Sequence, residues 1–170
     1  MKQILKTYFV VLIIVSSASC SKKNNERAYN TFTNEFEKSI IKHNAKFFKF
    51  EYDGLVPQSS YFIGSKLKFL KYSHGPENGS IESLVFFENH TDSLIKIVRR
   101  EILYEWDDNE NVRNEKYSDT MFVIQFEKNK TYTYVDNKII DSIFKIDVYK
   151  NDIEFIKNMK NETEIKYNSH

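Results

Sequence analysis

Residues Thr120–Glu127 read TMFVIQFE, and their alternation decides the fold class. Thr120, Phe122, Ile124 and Phe126 fall on one side of a strand, with Met121, Val123, Gln125 and Glu127 on the other. One face therefore reads as fully buried and the second as partly buried. The preceding stretch Leu94–Trp106, LIKIVRREILYEW, is longer than an ordinary strand, and its adjacent Arg99 and Arg100 interrupt the apolar run. A β-bulge at that pair would bend the sheet and re-aim the side chains after it.

Working outward, Lys46–Tyr52, Lys66–Tyr72, Ile81–Glu88, Thr131–Val135 and Lys138–Tyr149 are rich in β-branched and aromatic residues and also read as strands. Turn chemistry separates them at Asp53-Gly54, Gly75 to Gly79, Asn89 to Ser93, Asn129-Lys130 and Asp136-Asn137. Connections this short impose antiparallel neighbours, because a parallel crossover needs a dozen or more residues. Ahead of the strands, Tyr29, Phe32, Phe36 and Ile40 recur at helical spacing between Glu26 and about Ala45, an amphipathic helix with one aromatic stripe. Behind them, Ile153, Ile156 and Met159 mark a short second helix from Asn151 to about Glu162. The expectation is an α+β domain over 28–165: an N-terminal amphipathic helix packed on a curved antiparallel β-meander of six or seven strands, a short C-terminal helix, and a frayed tail at 166–170. That layout resembles cystatin-like and lipocalin-like half-barrels at the level of fold alone.

Composition sets the bounds. The chain has 170 residues, 25 basic against 24 acidic, for a net charge of +1, which gives no field to recruit nucleic acid. Hydrophobic residues make up 41% and aromatics 15%, whereas Gly and Pro together number only six, the reverse of a disordered chain. Length and apolar content suit one packed domain.

Lys2 and Lys6 precede an apolar run from Tyr8 to Val15, followed by Ser16-Ser17-Ala18-Ser19 and the chain's single cysteine, Cys20. Eight apolar residues are too few to span about 30 Å of hydrocarbon. The segment resembles a bacterial lipoprotein signal peptide, with Ser17-Ala18-Ser19-Cys20 as its lipobox. The resemblance implies removal of 1–19, a diacylglyceryl group on the Cys20 thiol, and attachment to a membrane that several acyl chains make effectively permanent. Residues 20–27 then form the lipidated cysteine and a polar tether. Ser21 following the cysteine implies, by the same resemblance, the periplasmic face of the outer membrane. With one cysteine, no disulfide framework exists within a monomer.

Chemistry-bearing patterns are sparse in the chain. His43, His74, His90 and His170 lack zinc-site spacing, and no metal or cofactor is expected. Asp107-Asp108-Asn109-Glu110-Asn111 begins like a calcium loop, but Val112 stands where glycine is needed and Ser118 where a bidentate glutamate should close it. It reads as an acidic hairpin loop, with Asp107, Asp108, Glu110 and Glu115 as candidate partner-facing charges. Ser-x-x-Lys occurs five times and reflects lysine abundance, and no nucleophile elbow, P-loop or dinucleotide fingerprint is present. Asp92-Ser93-Leu94, Asp119-Thr120-Met121 and Asp141-Ser142-Ile143 resemble periplasmic O-glycosylation acceptors, making Ser93, Thr120 and Ser142 candidate sites.

These readings lead to a non-enzymatic, lipid-anchored cell-envelope domain that binds a protein or an apolar small ligand, with Phe48, Phe50, Tyr61, Tyr72 and Tyr134 as candidate pocket residues. Two alternatives stand beside it. One is an immunity or inhibitor protein presenting its acidic loop to a toxin or hydrolase; the other is a carrier of an apolar ligand. An enzyme would require titratable side chains converging in a cavity.

Overall fold

A computed structural model describes residues 24–52, 57–88, 93–107, 114–143 and 149–169. The architecture is α+β: helix α1 (Glu26–Lys42), eight strands, and helix α2 (Lys150–Asn168). The strands are β1 (Lys46–Phe48), β2 (Gln58–Ile63), β3 (Lys66–His74), β4 (Gly79–Phe87), β5 (Leu94–Asp107), β6 (Asn114–Gln125), β7 (Lys130–Val135) and β8 (Lys138–Ile143). They form one antiparallel meander in sequence order, open, with β1 and β8 at its edges.

The N-terminal helix packs on the sheet as expected, and the C-terminal helix, for which the sequence named no face, covers the opposite one, making three layers. Tyr29 and Phe36 of α1 pack with Phe69, Leu84, Phe86, Val98, Met121 and Val123. Ile156 and Met159 of α2 pack with Phe62, Leu70, Val85, Phe87, Ile97 and Ile124. Strand β4 shows the consequence: Leu84 and Phe86 belong to one cluster, Val85 and Phe87 to the other. A strand buried on both sides carries an unbroken apolar run, although its side chains still alternate. Phe36 anchors α1 through edge-to-face contacts with Tyr61, Phe69 and Phe86 at centroid distances of 6.0, 5.9 and 5.3 Å, each worth about 0.5–1.5 kcal/mol beyond burial.

Three expectations change. Strand β2, absent from the sequence reading, makes the count eight; its inward Gln58 and Ser60 are polar but satisfied, Gln58 Nε2 donating to Ser60 Oγ (2.9 Å) and to Thr163 Oγ1 of α2 (3.0 Å). Helix α2 continues to Asn168, past the expected stop near Glu162 and into the supposed frayed tail, because Tyr167 stacks on Phe62 at 3.8 Å. Asn25 is also fully buried, so the packed residues extend beyond 28–165 at both ends.

The expected bulge at Arg99-Arg100 is not there. Both pair in regular register, Arg100 opposite Glu82 and Met121, Arg99 opposite Ser83 and Phe122. The two arginines face opposite sides, and each has its own carboxylates: Arg99 Nη1 reaches Asp152 (2.6 Å), Arg99 Nε approaches Glu101 (2.6 Å), and Arg100 Nη2 reaches Asp119 (2.8 Å). The bulges fall elsewhere, with Lys68, Ile95 and Ile140 as the extra residues.

Four turns among the described residues use left-handed backbone, at Asn44, Gly64, Asn129 and Asp136-Asn137. Asp136 and Asn137, at φ 53° and 62°, make the two-residue β7–β8 turn, a geometry that asparagine and aspartate tolerate. Asn44 (φ 49°) ends α1, with Ala45 N–H returning to Ile40 O at 3.0 Å.

Gly79 opens β4 against Leu103, and a Cβ there would lie 2.1 Å from the Ile102 carbonyl oxygen. Gly79→Ala is therefore expected to cost about 1–3 kcal/mol in urea unfolding; an unchanged midpoint would contradict this close approach of β4 to β5.

Candidate functional site

The aromatic residues chosen as a pocket do not converge. Tyr61 and Tyr134 pack on the α1 face, while Phe48 and Tyr72 pack on the α2 face. Phe50 follows β1 and stacks on Phe48 at 6.4 Å. A sheet covered on both faces distributes its aromatics to both sides, and single-strand periodicity does not say which helix receives which face.

The most connected polar cluster lies at the start of α1. Asp119, its side chain 1% exposed, accepts from Arg100 Nε (3.1 Å) and Nη2 (2.8 Å) and from the Asn25 backbone N–H (2.8 Å). Asn25 occupies the N-cap position but does not cap with its side chain. Its Nδ2 donates to Asp119 O (2.9 Å) and Tyr134 O (3.0 Å), and its Oδ1 accepts from Asn137 N–H (2.9 Å). Asn137 supplies the cap instead, its Oδ1 accepting from Ala28 N–H (2.8 Å). The bond to Asp119 pushes the Arg100 guanidinium further up, keeping it cationic. Burial, then Asp119, raises the Tyr117 phenol. Burial, with the Glu82 carboxylate adding to it, holds the Tyr29 phenol well above its ordinary value, and the Tyr29 hydroxyl has no hydrogen-bond partner that meets distance and angle criteria among the described residues. Asp119, Arg100, Asn25 and Asn137 satisfy one another, with the Tyr29 hydroxyl left over, so the cluster is a structural knot. It also places the Asp119-Thr120 motif within a paired strand, with Asp119 buried.

A second charged set lies on the α2 face. Arg99, Glu101 and Asp152 sit near Tyr72, whose phenol is raised by burial, and His74, lowered chiefly by burial and then by Arg99. Among the described residues no three His, Cys, Asp or Glu side chains come together as a metal-holding group.

Among the described residues, several surfaces are left open by the packing. At the open end of the sheet, every residue of β8 is exposed, and Ile139, Ile140 and Ile143 are 54%, 63% and 41% accessible. Along α2 runs a groove of about 320 Å³ lined by Phe87, Leu94, Phe126, Ile153, Lys157 and Lys160, with Ser93 at its edge. A larger depression of about 440 Å³ beside the first turns of α1 is bordered by exposed polar residues such as Glu26, Arg27 and Asn30.

Of the remaining sequence candidates, Ser93 and Ser142 are exposed and Thr120 is half-buried. Asp107 ends β5 and Glu115 pairs opposite Trp106 in β6. Cys20, Asp108 and Glu110 lie outside the described residues. Tyr104–Asp107 and Asn114–Tyr117 pair only with each other among the described strands, forming a two-stranded ribbon beyond the sheet. Sequence reasoning missed the β8 isoleucines and the groove lysines. The adjacent Ile139-Ile140 on a short strand was the one available signal for the first, and for the second nothing in the spacing connects Phe87, Phe126 and Lys157.

No protein-family model, curated protein or solved structure matches the chain. No helix among the described residues is long and apolar enough to cross a membrane.

Removing the buried Asp119 carboxylate would leave the half-buried Arg100 and the buried Asn25 N–H without their acceptor, so Asp119→Ala is expected to cost about 3–5 kcal/mol, measured by urea unfolding; a loss under about 1 kcal/mol would contradict the knot. Tyr29→Phe is expected to leave neutral-pH stability unchanged or raised by up to about 1 kcal/mol. Because the folded phenol is raised, its contribution is complete below about pH 10 and is lost as pH climbs past the unfolded value. The variant should therefore lose less stability than wild type between pH 9 and pH 11.

Proposed function

We propose that the chain is a lipid-anchored binding protein of the cell envelope that works without turnover, held to the membrane through Cys20 and engaging a protein partner along β8. The single observation that carries the partner surface is the exposed edge strand with its three isoleucines. Sheet edges present unpaired backbone groups that an extended segment can extend as an added strand. Lys138, Asp141 and the bulge at Ile140 are features that discourage indiscriminate edge pairing, so recognition would be selective. Of the half-barrel likenesses, the open cystatin-like arrangement suits such edge-on recognition better than a closed lipocalin-like one, because only an open sheet has an edge to offer.

The anchor carries a geometric consequence. Asn25 is bonded to Asp119 at the base of the ribbon, and Cys20 lies five residues earlier. A tether of that length spans at most about 17 Å, so a lipidated Cys20 would hold the ribbon base near the bilayer.

A second reading, an immunity or inhibitor protein, is favoured by the ribbon itself, which extends beyond the rest of the sheet toward the acidic stretch Asp107 to Glu115. Its partner would carry a basic cleft, and binding would weaken steeply with salt.

Native mass spectrometry of the membrane-extracted protein tests the leading reading. The expected result is a diacylglyceryl-modified Cys20 and a retained protein partner that the Ile139→Asp/Ile140→Asp variant loses while its circular dichroism is unchanged. An unmodified Cys20 would sink the anchor, and a partner retained equally by the variant would move recognition away from β8.

A further inference from the structure

The α2 groove combines an apolar floor with a cationic rim. Phe87 is buried, and Leu94, Phe126 and Ile153 are half-buried beside it. The volume of about 320 Å³ lies at the small end of ligand-binding clefts. A polar depression of about 280 Å³ continues from it along α2, lined by Lys66, Lys157, Lys160, Asn161 and Glu164. The two hollows share Lys157 and Lys160, so these lysines border both the apolar part and the charged part.

The charges there are unequal. Lys160, its side chain 7% exposed, bonds to Glu164 Oε1 at 2.5 Å and holds its ammonium 5.6 Å from the centre of the Phe87 ring. The Glu164 carboxylate is shared further, accepting from Leu67 N–H (2.9 Å) and facing Lys66 Nζ (3.7 Å). Lys68, almost fully buried, turns its ammonium to the Glu88 carbonyl at 2.6 Å. Lys157 is exposed at the junction of the two hollows and makes no ion pair among the described residues. Cations thus outnumber the carboxylate that lines the polar hollow, and Lys157 stands where an anion would meet both it and the apolar floor.

We propose that this groove binds a medium-chain amphiphilic carboxylate, its chain against Phe87, Leu94, Phe126 and Ile153 and its head group on Lys157 with Lys160 behind. A carboxylate there gains charge-assisted hydrogen bonds from the exposed Lys157 ammonium, and the chain removes exposed apolar surface from solvent. A neutral alcohol of the same length would gain only the second of these, and inorganic phosphate only the first. The site lies on α2 and does not depend on the partner surface at β8, so either can fail without the other.

Titration calorimetry of the purified full chain with decanoate, decan-1-ol and inorganic phosphate tests the proposal. Saturable one-to-one decanoate binding is expected, with phosphate unable to compete at equal concentration. Lys157→Glu, an exposed substitution, is expected to weaken decanoate at least tenfold and leave decan-1-ol unchanged within twofold. Ile153→Trp, which fills the floor, is expected to weaken both ligands, with its thermal midpoint checked to separate loss of binding from loss of fold. Absence of saturable decanoate binding by the wild-type chain would overturn the site, as would binding that Lys157→Glu leaves intact or that phosphate displaces as effectively as decanoate does.

Discussion

Asp119 brings a carboxylate into the body of the protein, and the α1 side of the sheet is arranged around it. An ion pair this buried adds little net stability over an apolar substitute, since desolvation consumes most of the attraction, but losing one member is costly. Its effect is therefore to exclude alternatives. Only one seating of α1 lets Asp119 take Arg100 and the Asn25 N–H together, while the Asn25 side chain reaches β6, β7 and the Asn137 turn. Asn137 is a turn residue between β7 and β8, so the same knot that starts the helix also positions the β8 edge of the sheet.

Covering both faces of the central strands determines which surface is left over. The two helices bury Tyr29 and Phe36 on one side and Ile156 and Met159 on the other. Aromatic side chains that would otherwise have lined a cavity are consumed in those two cores, as Tyr72 is at 4% exposure. What remains among the described residues is peripheral: the uncovered edges at β1 and β8, and a groove where α2 does not close over Leu94 and Phe126. Recognition at such places needs no strained backbone or displaced charge, which is consistent with titratable clusters that satisfy themselves internally.

The strands were legible wherever β-branched and aromatic residues dominate, and α1 was legible from its aromatic stripe. Strand β2 was not, because Gln58, Ser59 and Ser60 look like loop chemistry until Thr163 of α2 is found within bonding distance. Arg99-Arg100 looked like a defect in a pattern with one wet face; with both faces covered, each arginine simply points at its own carboxylates, Asp119 on one side and Asp152 and Glu101 on the other. The length of α2 was hidden for a related reason: nothing local distinguishes Tyr167 as a core residue, and it becomes one only by stacking on Phe62. The candidate pocket failed as a group because period-two alternation separates faces within one strand but does not relate the faces of different strands across bulges such as those at Lys68 and Ile95.

By itself the sequence determined the α+β class, the antiparallel meander and the N-terminal aromatic helix, because those follow from local periodicity and from connections too short for a crossover. Tertiary structure alone decided that the second helix takes the opposite face, that the bulges fall at Lys68, Ile95 and Ile140, and that β8 is left with its isoleucines in water. These depend on contacts between residues as much as 113 positions apart, as Asn24 and Asn137 are, where burial, charge pairing and register are settled together and no local pattern carries the answer.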